Sequence, residues 1–370
     1  MPARTKTPNR PDPADTPPER GQPVGTLEAI VGHDQAVAFL RQALQAGRLP
    51  HAWLFVGPQG VGKRTLALAF AGRLLTPASE PERGEALGLL EAGAHPDLTV
   101  ISKELAAYSE DAATRARKQR TIPIELLREF FDPAVARTAS LPGGLASKVC
   151  IIDQAHLLAR EGQNHLLKTL EEPPPGTVII LVADRPHDLL PTIHSRCQSL
   201  RLAPLSDEAM DRWLASHASL DQAQRRALVR QAEGSPGRAD LLLRTGAVHW
   251  PEQLEPLAEA CLAGRDDGAL AEACAGLADQ WAKDWVKAHP AASKDAANRS
   301  AHELVLAVLG RWARDRLAEG VVGPEAVEAI TACAGLLARD VQPRFAYEVF
   351  AERLAEAGRH ATRAPLARGS

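Results

Sequence analysis

The sequence predicts an α/β core, a parallel sheet with flanking helices, followed by all-helical segments. Three observations predict it. Three short apolar runs, His51–Val56, Lys148–Asp153 and Val178–Ala183, read as buried strands. Helical stretches separate them, and parallel strands need such crossovers, which place helices on both faces of a sheet. Beyond Pro204 the chain reads as helix after helix, with no further strand signal.

Size and composition set the frame. At 370 residues the chain exceeds one ordinary core, and three domains are expected. Apolar residues at 45% and charged residues at 24% are the balance of a globular protein, and aromatics at 4% with abundant Ala and Leu favour helices. A net charge of -3 gives no overall pull toward nucleic acid, which argues against direct reading of a DNA sequence. The five cysteines, Cys150, Cys197, Cys261, Cys274 and Cys333, are widely spaced with no CxxC pair. Neither a disulfide framework nor a thiolate metal site is expected, and the compartment is expected to be reducing and cytoplasmic. Residues 1–24 are rich in Pro, Arg, Asp and Thr and lack the apolar core of a signal peptide, so a disordered tail is expected. No run approaches the roughly 20 apolar residues that cross a bilayer, so no membrane contact is expected.

In chain order, Ile30, Val37, Leu40 and Leu44 recur at helical spacing between Thr26 and Leu49. The apolar run His51–Val56 ends in a Gly-rich turn, and Thr65–Leu75 continues as an Ala/Leu helix. From Ser79 to Gln119 the pattern weakens around a further strand candidate at His95–Ile101, and Tyr108–Arg120 reads as a solvated loop or helix face. Helices are expected at Asp207–Ala215, Asp221–Gly234 and Gly237–Leu243. The expected domains are a core over 25–204, a three-helix segment over 205–246 and a helical end domain over 247–358. A disordered tail is expected over 359–370.

Gly57-Pro58-Gln59-Gly60-Val61-Gly62-Lys63 fits GxxxxGK between a strand and a helix, the setting that a phosphate-binding loop requires. Gly57, Gly60 and Gly62 let successive backbone N–H groups turn toward an anion, the helix dipole adds to the attraction, and Lys63 reaches the outer phosphates. Arg64 stands where a Ser or Thr hydroxyl normally ligates magnesium. Thr65 follows, but one helical step turns a side chain by roughly 100°, so it is no simple substitute. The run Lys148–Asp153 ends in an acid, a candidate for holding magnesium through water, and the next residue is Gln154, which cannot accept a proton as a Glu would. Two positions that catalysis needs are thus altered. ATP binding is expected to be weak or absent, and magnesium binding is left open.

Asn164-His165-Leu166-Leu167-Lys168-Thr169-Leu170-Glu171-Glu172-Pro173-Pro174 and, further on, Leu189-Leu190-Pro191-Thr192-Ile193-His194-Ser195-Arg196-Cys197-Gln198 give the chain a family likeness. With the phosphate loop, they make residues from about Leu27 to Leu243 resemble the clamp-loader branch of the AAA+ ATPases, the loaders that serve bacterial DNA polymerase III. The resemblance implies a RecA-like AAA+ core, a small helical lid and an all-α C-terminal collar that joins subunits in a ring. It implies that Arg196 is an arginine finger acting in trans on a neighbour's ATP. It also implies that Arg238, in Gly234-Ser235-Pro236-Gly237-Arg238, is a nucleotide-sensing cation. Asp184 falls where the family's first sensor offers Thr or Asn. His95-Pro96-Asp97 matches a segment that follows a zinc module in loader subunits, but the module's cysteines are missing here, so no zinc is expected. The implied partners are delta and gamma/tau loader subunits in a heteropentamer, with the sliding clamp and primed DNA reached through that complex. Within the branch, a damaged ATP site beside a retained Arg196 resembles the subunit that completes its neighbour's site rather than a motor. The alternative is an independent AAA+ ATPase, a helicase loader or another DNA-remodelling motor; a small-molecule kinase leaves the Ser195-Arg196-Cys197 segment unexplained.

Overall fold

The first strand, β1 (Ala52–Val56), shows how the core is built. All five of its side chains are buried, and they alternate between two apolar layers. Trp53 and Phe55 join Leu66, Phe70, Leu74 and Val149 on one face. Ala52, Leu54 and Val56 join Leu126, Phe131, Ile152 and Leu166 on the other. A strand apolar on both faces belongs inside a covered parallel sheet. The computed structural model, which describes residues 25–46, 49–116, 121–141, 144–265, 267–289, 293–339 and 341–363, contains such a sheet. The expected tail over 1–24 lies outside the described residues, as does the end of the expected tail over 359–370.

Four further strands complete the sheet: β2 (Leu98–Ile101), β3 (Lys148–Ile152), β4 (Thr177–Ala183) and β5 (Gln198–Arg201). Their order is β2-β3-β4-β1-β5 and every pairing is parallel. The direction of winding therefore reverses around β1, and ligand crevices in open α/β sheets form at the carboxyl end of such a strand. The phosphate loop occupies that end. Trp53 packs edge-on against Phe39, Phe55 and Phe70, and its indole N–H donates to the Pro50 carbonyl at 2.8 Å, so the largest core side chain is also satisfied.

The elements follow their local chemistry. The helix Lys63–Leu75 is buried almost all round, as a helix set into the sheet should be. Between β1 and β2 lies a helix, Glu82–Glu91, inside the stretch whose pattern is weak. A second helical stretch without a clear signal runs from Ile124 to Ala136 and passes through a π-type turn at Leu127–Phe131. After the sheet come helices Asp207–His217, Gln222–Ala232 and Pro236–Thr245. Ser206 caps the first, and Asp221 with Gln224 forms a capping box on the second.

Contacts divide the chain into two units, Met1–Arg238 and Ala239–Ser370. The second contains the helices Trp250–Leu262, Ala269–Ala288, Lys294–Ala318, Glu325–Ala338 and Pro343–Arg363. Trp250, Leu254, Trp281, Val305, Leu309, Trp312, Tyr347 and Phe350 are buried within it. The protein has a parallel five-stranded sheet with flanking helices, followed by a helical C-terminal region. Among the described residues no helix is long and apolar enough to cross a membrane.

Candidate phosphate-loop site

The loop that leaves β1 is shaped by its glycines and held from two sides. A Cβ on Gly57, whose φ is +158°, would lie 2.2 Å from the Leu202 carbonyl oxygen, so the backbone passes where no side chain fits. At the tip, Gly60 accepts a hydrogen bond from the Gly237 N–H at 2.9 Å. The Ser235 hydroxyl donates to the Gln59 carbonyl at 3.1 Å. On the other side the buried His33 ring reaches the Val61 carbonyl at 2.7 Å through Nε2. Gly62 then caps the helix Lys63–Leu75 from a left-handed conformation, leaving the helix N-terminus at the loop.

The charged side chains of the site are paired with one another. The Lys63 side chain is only 4% exposed, and its Nζ lies 2.6 Å from Asp184 Oδ1. The same ammonium donates to the Pro58 carbonyl at 2.5 Å. Asp184 sits just beyond β4, which the sheet order places beside β1. Its backbone N–H donates to His156 Nδ1 at 3.3 Å, and the other ring nitrogen faces Asp184 Oδ2 at 3.9 Å. Burial holds the His156 pKa below its usual value, against the pull of the Asp184 charge. Arg64 Nη1 is 3.4 Å from Asp153 Oδ2, at the end of β3. Burial pushes the Asp153 carboxyl up, and the Arg64 guanidinium opposes that shift.

This donor set does not fit a magnesium–nucleotide complex. The hydroxyl position holds a guanidinium, and that guanidinium is paired with the carboxylate that would hold the metal. The lysine that would grip phosphate already has a carboxylate partner. Gln154 adopts a left-handed backbone, φ 52° and ψ 40°, and its Oε1 is buried without a hydrogen-bond partner, so no base stands at that position. Thr65 is exposed one step along the helix.

Two predicted arginines lie outside this cluster of pairs. Arg196 follows the short helix Pro191–His194, is one-third exposed, and is paired with Glu171 from the end of the helix Arg160–Glu171. It also donates to the Thr192 carbonyl at 3.0 Å. Arg238 pairs with Glu233 at 3.0 Å near the loop tip, with its Nε buried and unpartnered. His95-Pro96-Asp97 is a structural pin. The buried Asp97 carboxylate accepts the N–H groups of Ser140 and Leu141, while His95 Nδ1 accepts the Asp97 N–H at 3.2 Å. Sequence reasoning missed the partners Glu171, His156 and His33. Glu171 lies inside a motif that was singled out and His156 two residues beyond Gln154, whereas nothing local marks His33.

A family model described as DNA polymerase III, delta subunit, matches residues 32–206. The chain is 38% identical over 170 residues to the delta-prime subunit of DNA polymerase III from Pseudomonas aeruginosa, covering 45% of this chain and 47% of that one. It is 33% identical over 199 residues to the Escherichia coli delta-prime subunit, covering 53% and 55%. It is also 35% identical over 198 residues to the Haemophilus influenzae tau/gamma subunit, covering 51% of this chain and 25% of that protein. The chain thus spans about half the length of these delta-prime relatives. The matched residues carry the sheet, the phosphate loop and the Arg196 segment, and over them the chain is similar to DNA polymerase III delta-prime and tau/gamma subunits.

Proposed function

We propose that this chain acts as a delta-prime type subunit of a bacterial DNA polymerase III clamp loader. In this reading it joins delta and gamma/tau subunits in the heteropentamer that opens the sliding clamp and closes it on primed DNA. It supplies Arg196 in trans to a neighbour's ATP and does not turn over ATP itself. The observation that carries the reading is the contrast between two sites. In the chain's own pocket Arg64 is paired with the mostly buried Asp153, the acid that would hold the metal, whereas Arg196 lies outside that pocket, beyond the carboxyl end of β4, paired with the half-exposed Glu171. A guanidinium there can grip two phosphate oxygens and offset the charge that develops as the phosphoryl bond breaks. Arg238 remains a candidate nucleotide-sensing cation of the lid. The wider likeness to delta-prime sequences supports the assembly role.

The test is reconstitution with the motor subunits. Arg196→Ala should assemble normally and lower hydrolysis at the one site it faces by about a hundredfold or more, read as loss of that site's share in single-turnover ATP cleavage. Unchanged cleavage in an intact assembly would remove the finger assignment. Brisk magnesium-dependent turnover by the isolated chain would favour an independent ATPase instead.

A further inference from the structure

We propose that Asp184 is a built-in substitute for a nucleotide's phosphates: it holds Lys63 and keeps this loop closed to nucleoside triphosphates, so the loop keeps its shape independently of ATP. The inference deepens the reading that the chain does not turn over ATP, and it names a residue that excludes nucleotide by occupying the lysine.

Lys63 is the side chain on which phosphate capture by such a loop depends, and its ammonium has three hydrogens to give. Asp184 and the Pro58 carbonyl account for two of them, at 2.6 and 2.5 Å, inside a site where the lysine is 4% exposed. The carboxylate is itself tethered. Its own backbone N–H is fixed on His156 Nδ1, so the neutral ring carries its proton on Nε2, the nitrogen that faces Asp184. An anion fixed in the same chain competes at a high effective concentration, because its positional entropy is already lost in folding.

The second pair removes the remaining attraction. Arg64 and Asp153 face each other at 3.4 Å, so each of these two cations already has a carboxylate partner. A triphosphate entering here would displace Asp184 from Lys63 and leave that carboxylate beside an added polyanion. The loop tip is also engaged. Ser235 and Gly237 bond to the Gln59 and Gly60 carbonyls, and a Cβ on Gly60 would meet the Ser235 hydroxyl at 2.4 Å. These contacts hold the loop from the lid side with protein groups alone.

The experiment uses the full-length chain and titrates a fluorescent ATP analogue with and without magnesium. The wild-type chain should show no saturable binding at micromolar analogue. Asp184→Asn and Asp184→Thr, both checked for folding by circular dichroism, should bind at least about tenfold more tightly, since each removes a negative charge beside the phosphate position. Arg64→Thr alone should gain little, because Lys63 stays held. Micromolar binding by the wild type, or folded Asp184 variants that bind no better than it does, would overturn the proposal. Should both variants unfold, amine acylation of the native wild type decides, read by mass spectrometry. Lys63 should resist labelling equally with and without ATP; ready labelling, or protection by ATP, would overturn it. Assembly and the Arg196 effect are measured separately in the reconstituted loader, so a failure here leaves that reading standing and the converse also holds.

Discussion

At the residue scale, two glycines of the phosphate loop that look alike in sequence carry different constraints. Gly57 combines φ +158° with a built Cβ 2.2 Å from a backbone oxygen, and neither a rotamer change nor a small side-chain shift relieves that contact. Gly62 has φ +102°, but the nearest atom to its Cβ position is the His33 ring at 3.8 Å. Gly57→Ala should therefore cost more than about 3 kcal/mol, and Gly62→Ala only about 1–2 kcal/mol of backbone strain. Equilibrium denaturation of the two variants in parallel checks the order. Glu171 poses the opposite case. Its pair with Arg196 is half exposed, so Glu171→Gln should change stability by less than about 1 kcal/mol. A larger loss in the same measurement would mean that the pair supports the fold rather than merely resting Arg196.

At the level of elements, the pin at Asp97 ties β2 to the loop that leads into β3. Asp97 is 2% exposed and accepts the Ser140 N–H at 2.9 and 3.0 Å and the Leu141 N–H at 3.0 Å. Asp97→Ala leaves those donors without an acceptor and should destabilise the first unit by about 2–4 kcal/mol, with Asp97→Asn falling between. Urea midpoints read at Trp53 and Trp213, the tryptophans of that unit, test the ranking. The same level shows what the sequence made legible. β1, β3 and β4 are continuous apolar runs because both of their faces are covered, and that pattern is visible without the fold. β5 is an edge strand with only Leu200 buried, so it carries no apolar run and was missed. The stretch Ile124–Ala136 hid its periodicity because a π-type turn adds a residue and shifts the apolar register. Within the site, Lys63, Arg64, Asp153 and Gln154 were legible because their motifs are local. The partnership of Lys63 with Asp184 was not, since it exists only because the sheet order sets β4 against β1.

For the molecule as a whole, buried and partly buried histidines make stability depend on pH in a definite direction. His95 and His156 in the first unit and His302 in the second all have pKa values lowered from 6.5, each chiefly by burial. In the second unit His302 Nδ1 lies 3.0 Å from the hydroxyl of the fully buried Tyr347, whose O–H can donate only to an unprotonated ring nitrogen. As pH falls through 6.5 the unfolded chain takes up these protons before the folded one, so unfolding is favoured progressively until the folded pKa values are passed. Stability is therefore complete above about pH 7 and declines on acidification from there. Asp153 acts in the opposite sense. Its folded pKa is raised above 3.8, so between that value and its folded pKa acidification protonates the native state first and offsets part of the loss. The second unit has no such offset from Asp153 and holds four of the six tryptophans, Trp250, Trp281, Trp285 and Trp312. Tryptophan-detected urea midpoints should fall steadily from pH 7 to pH 5.5, and His302→Gln, which cannot take up a proton, should flatten that slope while lowering the midpoint at pH 7. A wild-type midpoint that stays level over this range would show that His302 titrates alike in the folded and unfolded chain, and that its burial against Tyr347 does not govern the second unit's response to acid.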